Sequence, residues 1–142
     1  MANKMVMLIN GPNLNLLGQR DKSLYGGETL PEIVSNLKEK AKDLLIDLHD
    51  FQSNSEGDLV TAIQDSIGKA SAIIINPGAL THTSIAIRDA LECFKGAVIE
   101  VHLSNIYARE EFRRHSYISG VATGVISGLG PKGYELALYA VP

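Results

Sequence analysis

The sequence predicts an α/β fold built around a parallel sheet of five strands. Short β-rich runs alternate with amphipathic segments from one end of the chain to the other, the order that joins parallel strands through helices. Two of the runs, Ala72–Asn76 and Ala97–His102, are apolar with little alternation, as expected of strands covered on both faces. The 142 residues match the usual length of one domain, so we expect a single unit over residues 1–142.

The five β-rich runs define the predicted sheet. They are Met5–Asn10, Ile46–Gln52, Ala72–Asn76, Ala97–His102 and Val121–Ser127. The second run alternates weakly and carries Asp47, His49 and Asp50, which is typical of an edge strand. For a chain of this size, the pattern favours a three-layer, flavodoxin-like sandwich with strand order 2-1-3-4-5.

Helix-period segments separate the strands. The first begins with a capping box, Thr29 to Glu32, with Pro31 in its first turn. The residues predicted to face the core are Ile33, Val34, Leu37, Ala41, Leu44 and Leu45 in this helix, Leu59, Ile63 and Ile67 in the second, Ile85, Ile87 and Leu91 in the third, and Leu136, Ala137 and Ala140 in the last. A short charged helix is predicted at Ala108–Arg114. About nineteen irregular residues, Gly11–Thr29, follow the first strand, and a loop of this length favours a lid or a binding loop.

Composition excludes several classes of function. A net charge of −3 with 13 Lys and Arg argues against a nucleic-acid or anionic-membrane partner, although it leaves room for a small anionic substrate. The apolar runs are too short for a transmembrane helix, and Met5–Ile9 is too short for a signal peptide. The single cysteine, Cys93, is expected to be a buried apolar residue of a helix, and its isolation favours a reducing cytoplasm.

Polar residues cluster where the predicted strands end. Ligands of open parallel sheets bind outside the carboxyl ends of the strands. The residues at these ends are Asn10, Gly11, Pro12 and Asn13; Asn76, Pro77 and Gly78 with the following Thr81, His82, Thr83 and Ser84; and Glu100 and His102 with Ser104 and Asn105. Each group by itself is an ordinary turn or a structural residue. Their joint position, beside the loop that carries Arg20 and Tyr25, indicates a small-molecule site.

Other sequence patterns give weaker indications of a ligand or metal site. Gly128–Gly133 matches G-x-G-x-x-G, but only nine residues follow it, too few for a dinucleotide-binding unit. The four histidines lack metal-ligand spacing, so we expect no metal. The basic run Arg109–Arg114 fits a solvated helix face and a functional role equally well, and His115 is expected at the surface or an interface.

Several segments together resemble the type II 3-dehydroquinate dehydratases, the small metal-free class of dehydroquinase. They are INGPNLNLLG at Ile9–Gly18, Arg20, Tyr25-Gly26-Gly27, QSNSEG at Gln52–Gly57, INPGALTHTS at Ile75–Ser84, IRDAL at Ile87–Leu91, IEVHLSN at Ile99–Asn105, AREEFRRHSYIS at Ala108–Ser119 and GVISGLGPKGY at Gly124–Tyr134. The resemblance covers nearly the whole chain. The chain departs from the family pattern at two places. Asp21-Lys22 stands where Glu-Pro is commoner, which is expected to change the stiffness of the loop. Leu80 stands where an aromatic residue or glycine is commoner, which is expected to change the packing of the substrate pocket.

The resemblance implies a reaction and a role for each site residue. The reaction is anti dehydration of 3-dehydroquinate to 3-dehydroshikimate through an enolate, in aromatic amino-acid biosynthesis or quinate breakdown, by a single catalytic domain without a cofactor. The implied roles are Tyr25 as the base, Arg20 as its electrostatic helper, His102 as the acid, Glu100 as the residue that orients the histidine, Asn13 as the holder of a water at the enolate oxygen, and Asn76, His82, Arg113 and the backbone amides of Leu103 and Ser104 as substrate ligands. Asp89 matches a position that reaches the substrate from a neighbouring subunit, in a homododecamer built as a tetramer of trimers.

Two other functions compete with this interpretation. A flavodoxin-like fold with a rim of amides and hydroxyls is also compatible with a binding module for a flavin or another small molecule. A phospho-acceptor regulator is disfavoured, because Asn10 and Asn13 occupy the strand end where it needs clustered carboxylates. A purely structural assembly subunit is the third interpretation.

Overall fold

A parallel sheet of five strands in the order β2-β1-β3-β4-β5 forms the centre of the molecule, as predicted. The computed structural model describes residues 3–142. The strands are β1 (Lys4–Asn10), β2 (Ile46–Gln52), β3 (Ala72–Asn76), β4 (Ala97–His102) and β5 (Gly124–Ser127), and the helices are α1 (Lys22–Tyr25), α2 (Leu30–Asp43), α3 (Glu56–Ser66), α4 (Ile85–Glu92) and α5 (Lys132–Ala140). Short 3-10 turns lie at Leu14–Leu16, Gly78–His82, Ile106–Ala108, Glu111–Arg114 and Ser119–Val121.

Helices cover both faces of the sheet, which gives the predicted three layers. On one face, α2 and α5 pack with Val6, Leu8 and Ile74 of the inner strands. On the other face, α3 and α4 pack with Ile73 and Ile75. Because successive strand residues point to opposite faces, β3 is buried along its whole length between these two layers. The edge position predicted for β2 is confirmed.

Side-chain caps begin the helices α2, α3 and α4. Thr29 and Glu32 form the predicted capping box of α2, in which each side chain accepts from the other's backbone N–H at 3.3 Å. Ser55 caps α3 by accepting from the Asp58 N–H, and Ser84 caps α4 by accepting from the Ile87 N–H. These caps satisfy N–H groups that have no partner within a helix. Within residues 3–142, no helix combines the length and apolarity needed to cross a bilayer.

Several predicted boundaries differ in the structure. The last strand begins at Gly124 and not at Val121, because Ser119–Val121 curl into a 3-10 turn. The single helix predicted at Ala108–Arg114 is wrong: two 3-10 turns flank Arg109, whose backbone is extended. The loop Gly11–Thr29 also contains a 3-10 turn and the four-residue helix α1.

The predicted burial was wrong at several helix positions. Leu45, Ile67, Ile85, Leu136 and Ala140 are exposed. α5 buries Ala137 as predicted, but with it Gly133, Tyr134 and Leu138, because Gly133 lies against the sheet: a Cβ there would be only 3.3 Å from the Val101 side chain. Cys93 is exposed at the C-cap of α4, since the helix turns its buried side toward Leu91.

Candidate active site

A cavity of about 120 Å³ lies at the carboxyl ends of β1, β3 and β4. The predicted site residues that line it are Asn13, Arg20, Tyr25, Asn76, His82, His102, Leu103, Ser104 and Arg113. Pro12, Leu14, Gly78, Ala79, Ile106 and Arg109 complete the wall. The cavity is therefore at the edge of the sheet where an open α/β fold binds its ligands.

Arg20 and Tyr25 form one side of the cavity. The Arg20 Nη2 donates to the Tyr25 hydroxyl at 2.8 Å, and the guanidinium carbon lies 4.0 Å from the centre of the phenol ring. Helix α1 brings Tyr25, at its end, back beside Arg20, which lies just before its start. Asp21 caps the start of α1: its side chain accepts from the Ser23 hydroxyl at 2.6 Å and from the Ser23 N–H at 2.9 Å. These two hydrogen bonds lower the pKa of Asp21. At the position where the chain departs from the commoner Glu-Pro, Asp21 therefore stabilises the loop locally.

His102 lines the cavity at another place, and Glu100 lies behind it. The His102 Nε2 lies 2.5 Å from Glu100 Oε2, and neither side chain reaches bulk solvent. Burial raises the pKa of Glu100, but the hydrogen bond and charge of His102 and the hydroxyls of Ser119 and Ser116 outweigh burial, so that the pKa lies below its ordinary value. Glu100 is thus an ionised carboxylate behind the cavity, and it leaves Nδ1 of His102 as the ring nitrogen available to a molecule inside.

His82 is a neutral imidazole near pH 7. Burial, followed by the charges of His102 and Arg113, lowers its pKa below the ordinary value of 6.5, against the hydrogen bond to His115 and the charge of Glu100. Its Nδ1 lies 2.8 Å from the backbone carbonyl oxygen of His115, so Nδ1 carries the proton and donates it. The other ring nitrogen then carries a lone pair. The rings of His82 and His102 are 6.5 Å apart, centre to centre.

Asn76 is held by a directional chain of hydrogen bonds. The Gly78 N–H donates to Asn76 Oδ1 at 3.1 Å, and Asn76 Nδ2 donates to the Tyr134 hydroxyl at 3.0 Å. Tyr134 in turn donates to Asn10 Oδ1 at 2.5 Å. Burial raises the pKa of Tyr134, which keeps it a phenol. The chain fixes which end of the Asn76 amide is the donor, and leaves one Nδ2 hydrogen for a ligand.

Two arginines that follow β4 also reach the cavity. Arg109 donates to the Ser104 hydroxyl at 3.1 Å, and its guanidinium lies 5.4 Å from the centre of the Tyr25 ring. Arg113 donates from Nε to Glu110 at 3.1 Å. The Arg109–Arg114 run is therefore not a simple solvated face: Arg109 and Arg113 line the cavity, with side chains only 14% and 19% exposed.

Close backbone contacts bring the first and third strand ends together. A Cβ on Gly11 would lie 2.3 Å from the Pro77 carbonyl oxygen, so only glycine fits. Gly78 has φ +60° and approaches the Pro12 carbonyl oxygen. Asn13 adopts the left-handed conformation, φ 70°, and its N–H donates to Asn54 Oδ1 at 3.0 Å. This tight packing holds Asn13 beside Gly78 in the cavity wall.

Two positions singled out in the sequence lie elsewhere. Asp89 is on the exposed side of α4 and does not line the cavity of its own chain. Leu80 packs against the core layer formed by α3 and α4, while its neighbour Ala79 lines the cavity. The expected effect of Leu80 on the pocket is therefore wrong, because the 3-10 turn points this side chain inward.

Sequence reasoning missed Tyr134, Ser116 and Ser119 as parts of the site. Each lies within a segment that resembles the family, but nothing local marks it as a partner of Asn76 or Glu100. Asn10, the partner of Tyr134, was named from the sequence as a strand-end residue, and the structure pairs it in register with Asn76.

Other features of the surface bring together less chemistry. A hollow of about 330 Å³ is lined by residues of α2 and α5 with Glu28, Leu129 and Pro131, and it contains no histidine, arginine or tyrosine. In the part of the chain that the structure describes, no three His, Cys, Asp or Glu side chains are grouped to hold a metal ion. We therefore assign the chemistry to the smaller cavity at the strand ends.

Comparisons with known proteins agree with this geometry. The family model described as dehydroquinase class II matches residues 4–142. The 3-dehydroquinate dehydratase of Aeromonas salmonicida is 56% identical over 138 residues, which are 97% of this chain and 93% of the relative. The crystal structures of type II dehydroquinase from Butyrivibrio crossotus (TM-score 0.96, 99% of this chain and 98% of that one) and from Propionibacterium acnes (TM-score 0.94, 97% and 95%) are both 43% identical to it. The chain therefore belongs to the class II dehydroquinases, the dehydratase family to which these relatives belong.

Proposed function

We propose that the chain dehydrates 3-dehydroquinate to 3-dehydroshikimate by anti elimination through an enolate. One observation carries this proposal: an arginine–tyrosine pair and a histidine–glutamate pair line or support the same cavity from different sides. Elimination needs a base for the proton next to the ketone and an acid for the leaving hydroxyl. The proposed substrate is the one for which the relatives are named, 3-dehydroquinate.

Tyr25 is the base in this proposal. An ordinary tyrosine requires about 4 kcal/mol to lose its proton at pH 7. The Arg20 guanidinium, 2.8 Å from the hydroxyl, stabilises the phenolate that must form, and Arg109 places a second positive charge near the ring. Closure of the loop over this pair would exclude water and strengthen both interactions.

Asn13 stabilises the enolate oxygen through a bound water. The left-handed conformation and the N–H contact to Asn54 fix its backbone in the cavity wall, and this backbone carries the side chain to the place where it would bind that water. A preorganised polar group of this kind costs no reorganisation when charge develops on the oxygen.

His102 is the acid. Glu100 holds its Nε2, so the proton for the leaving hydroxyl comes from the other ring nitrogen, Nδ1. The ionised carboxylate behind the ring holds it in the orientation from which it gives up the proton. Glu100 itself stays out of contact with the substrate.

The remaining predicted residues bind the substrate. Asn76, His82 and Arg113 hold its hydroxyls and carboxylate together with the backbone amides of Leu103 and Ser104. Asp89 acts from a neighbouring subunit, in a homododecamer arranged as a tetramer of trimers. The reaction proceeds without a cofactor or a metal.

The cellular role follows from the reaction. We propose a single catalytic domain over residues 1–142, acting in the cytoplasm. Its place is the shikimate pathway of aromatic amino-acid biosynthesis, or quinate catabolism, in which the same dehydration occurs.

The growth of enone absorbance on addition of 3-dehydroquinate tests the function. Tyr25→Phe keeps the ring and removes only the reacting oxygen, so turnover should fall by roughly 10²–10⁴. Tyr139→Phe, on the exposed side of α5, is the matched control and should leave turnover unchanged. A Tyr25→Phe protein that still exchanges hydrogen for deuterium at the reacting carbon would show that another group is the base. A yellow protein that binds flavin and does not dehydrate would support the binding module instead.

A further inference from the structure

Glu100 is a fully buried carboxylate with three side-chain donors around it. His102 lies 2.5 Å from Oε2, the Ser116 hydroxyl donates to Oε2 at 3.0 Å, and the Ser119 hydroxyl donates to Oε1 at 2.7 Å. Glu100 does not line the cavity, so an effect that the two serines exert through Glu100 reaches a reaction by way of His102. The serines follow β4 by more than ten residues and return to it through the 3-10 turn Ser119–Val121.

The direction of these hydrogen bonds is fixed. The Ser116 hydroxyl oxygen accepts from the backbone N–H groups of Ile118 and Ser119, both at 3.0 Å. Because its two lone pairs are used in this way, its proton is left for Glu100. With donors on both oxygens, the carboxylate is surrounded by groups that favour its ionised form.

We propose that Ser116 and Ser119 are positioning residues for the acid step: their hydroxyls keep Glu100 ionised, and so keep the transferable proton on His102. The inference rests on the proposed role of His102 as the acid. It adds two residues that touch neither the substrate nor the histidine, and it gives them a function distinct from holding the fold.

The Glu100–His102 pair shares one proton, which can lie on either residue. When the proton lies on the ring, His102 is an imidazolium beside a carboxylate, and its Nδ1–H is acidic. When the proton lies on Glu100, the ring is neutral and its Nδ1–H is a very poor acid. Hydrogen bonds to a charged acceptor are about twice as strong as those to a neutral one, so the serines favour the first arrangement. Removal of a serine hydroxyl should make the Glu100–His102 pair hold its proton more tightly.

The kinetic test compares Ser119→Ala with Ser66→Ala. Ser66 is also a buried serine, but it donates to the Ala62 carbonyl within α3, far from the cavity wall. We expect kcat to fall about tenfold in Ser119→Ala, with KM changed less than twofold and the basic limb of the kcat profile moved to higher pH. Ser119→Thr, which keeps the hydroxyl, should restore both, and Ser66→Ala should leave both as in the original protein.

The other charged groups near His102 are the same in every variant. His82 faces it from the turn after β3, Arg20 and Tyr25 face the cavity from the loop and α1, and Arg109 and Arg113 face it from the segment after β4. A shift seen in Ser119→Ala and absent from Ser66→Ala therefore reports on the Glu100–His102 pair.

A second measurement needs no substrate. The chain has four histidines, so selective ¹⁵N labelling of histidine resolves the ring nitrogens of His102 in the intact protein. In Ser119→Ala, the pH at which the pair releases its proton should rise. If this pH and kcat both match the original protein while only stability falls, the serines are structural and the proposal is overturned. If Ser119→Ala does not fold, Ser119→Cys takes its place, because a thiol is only a weak donor. The same two measurements, kcat and the pH at which the pair releases its proton, then decide the proposal.

Different results would contradict the proposed dehydratase function and the proposed role of the serines. If the original protein does not dehydrate 3-dehydroquinate, the proposed function is wrong, and the NMR titration still decides whether Ser119 controls the pair. If the protein dehydrates its substrate normally and the titration of Ser119→Ala is unchanged, only the role of the serines is wrong.

Discussion

Tyr134 at the start of α5 donates its hydroxyl proton to Asn10 at the end of β1, across 124 residues of sequence and at a distance of 2.5 Å. The same hydroxyl accepts from Asn76 at the end of β3. One buried oxygen thereby ties the last helix to two neighbouring strand ends at the floor of the site. A helix that packs on the sheet thus also fixes the orientation of a side chain that lines the cavity.

Removal of this hydroxyl should affect both stability and binding. Tyr134→Phe removes the donor to Asn10 Oδ1 and the acceptor of Asn76 Nδ2, both buried, and we expect the free energy of unfolding to fall by about 1–3 kcal/mol. KM should rise, because the Asn76 amide keeps its contact to the Gly78 N–H but loses the one that fixes its Nδ2. Denaturant unfolding and steady-state kinetics measure the two effects. Tyr139→Phe on the exposed side of α5 is the control, and equal losses in both variants would contradict this role.

The Arg20–Tyr25 contact predicts non-additive kinetics. Arg20→Ala should reduce turnover strongly, and raising the pH should restore part of the loss, because the phenolate then forms without help from the guanidinium. Arg20→Lys should be a partial remedy, since an ammonium group does not reproduce the planar fork. The Arg20→Ala/Tyr25→Phe protein should be scarcely slower than Tyr25→Phe, because without the base the arginine has little to assist. Fully multiplicative effects on kcat would show that the two residues act separately.

Glu100 predicts how stability depends on pH. Its folded pKa lies below the ordinary value of 4.5, so the folded state favours the ionised form. The resulting stabilisation is fully present above about pH 5 and is lost as the pH falls through the folded pKa. The free energy of unfolding of the original protein should therefore exceed that of Glu100→Gln near pH 6, and the difference should shrink toward pH 3. For Ser66→Ala, which removes no titratable group, the difference should not depend on pH in this way.

Asp89 predicts a site shared between copies of the chain. Light scattering should give the mass of a homododecamer, far above the 15.3 kDa of one chain. Asp89→Ala should lower activity although Asp89 does not line the cavity of its own chain, whereas Asp65→Ala on the exposed side of α3 should not. Mixed oligomers of Asp89→Ala and Tyr25→Phe should regain activity, because some sites then combine an intact Tyr25 with a neighbour's intact Asp89. A fully active protein with the mass of one chain would contradict the shared site.

The elements that could be predicted from the sequence are those whose signal is local. Four of the five strands begin and end at, or within one residue of, their predicted limits, because each is a short β-rich run bounded by turn residues. The capping box of α2 was recognisable for the same reason, since Thr29 and Glu32 satisfy each other within one turn. The alternation of strands and helices indicated a parallel sheet, and the size of the chain favoured the order 2-1-3-4-5, which placed His82 and His102 at one edge of the sheet.

Only the tertiary structure decides which distant segments contact one another. The burial of Tyr134 follows from the phase of α5, which Gly133 sets by lying directly against the sheet. The partners of Glu100 depend on a turn that brings Ser119 back over β4. Periodicity and capping are written in neighbouring residues, whereas these hydrogen bonds form because burial leaves each polar group no other partner than the one that packing places beside it. The sequence therefore determined the framework and the edge that carries the site, and packing determined which side chains hold the reacting groups in place.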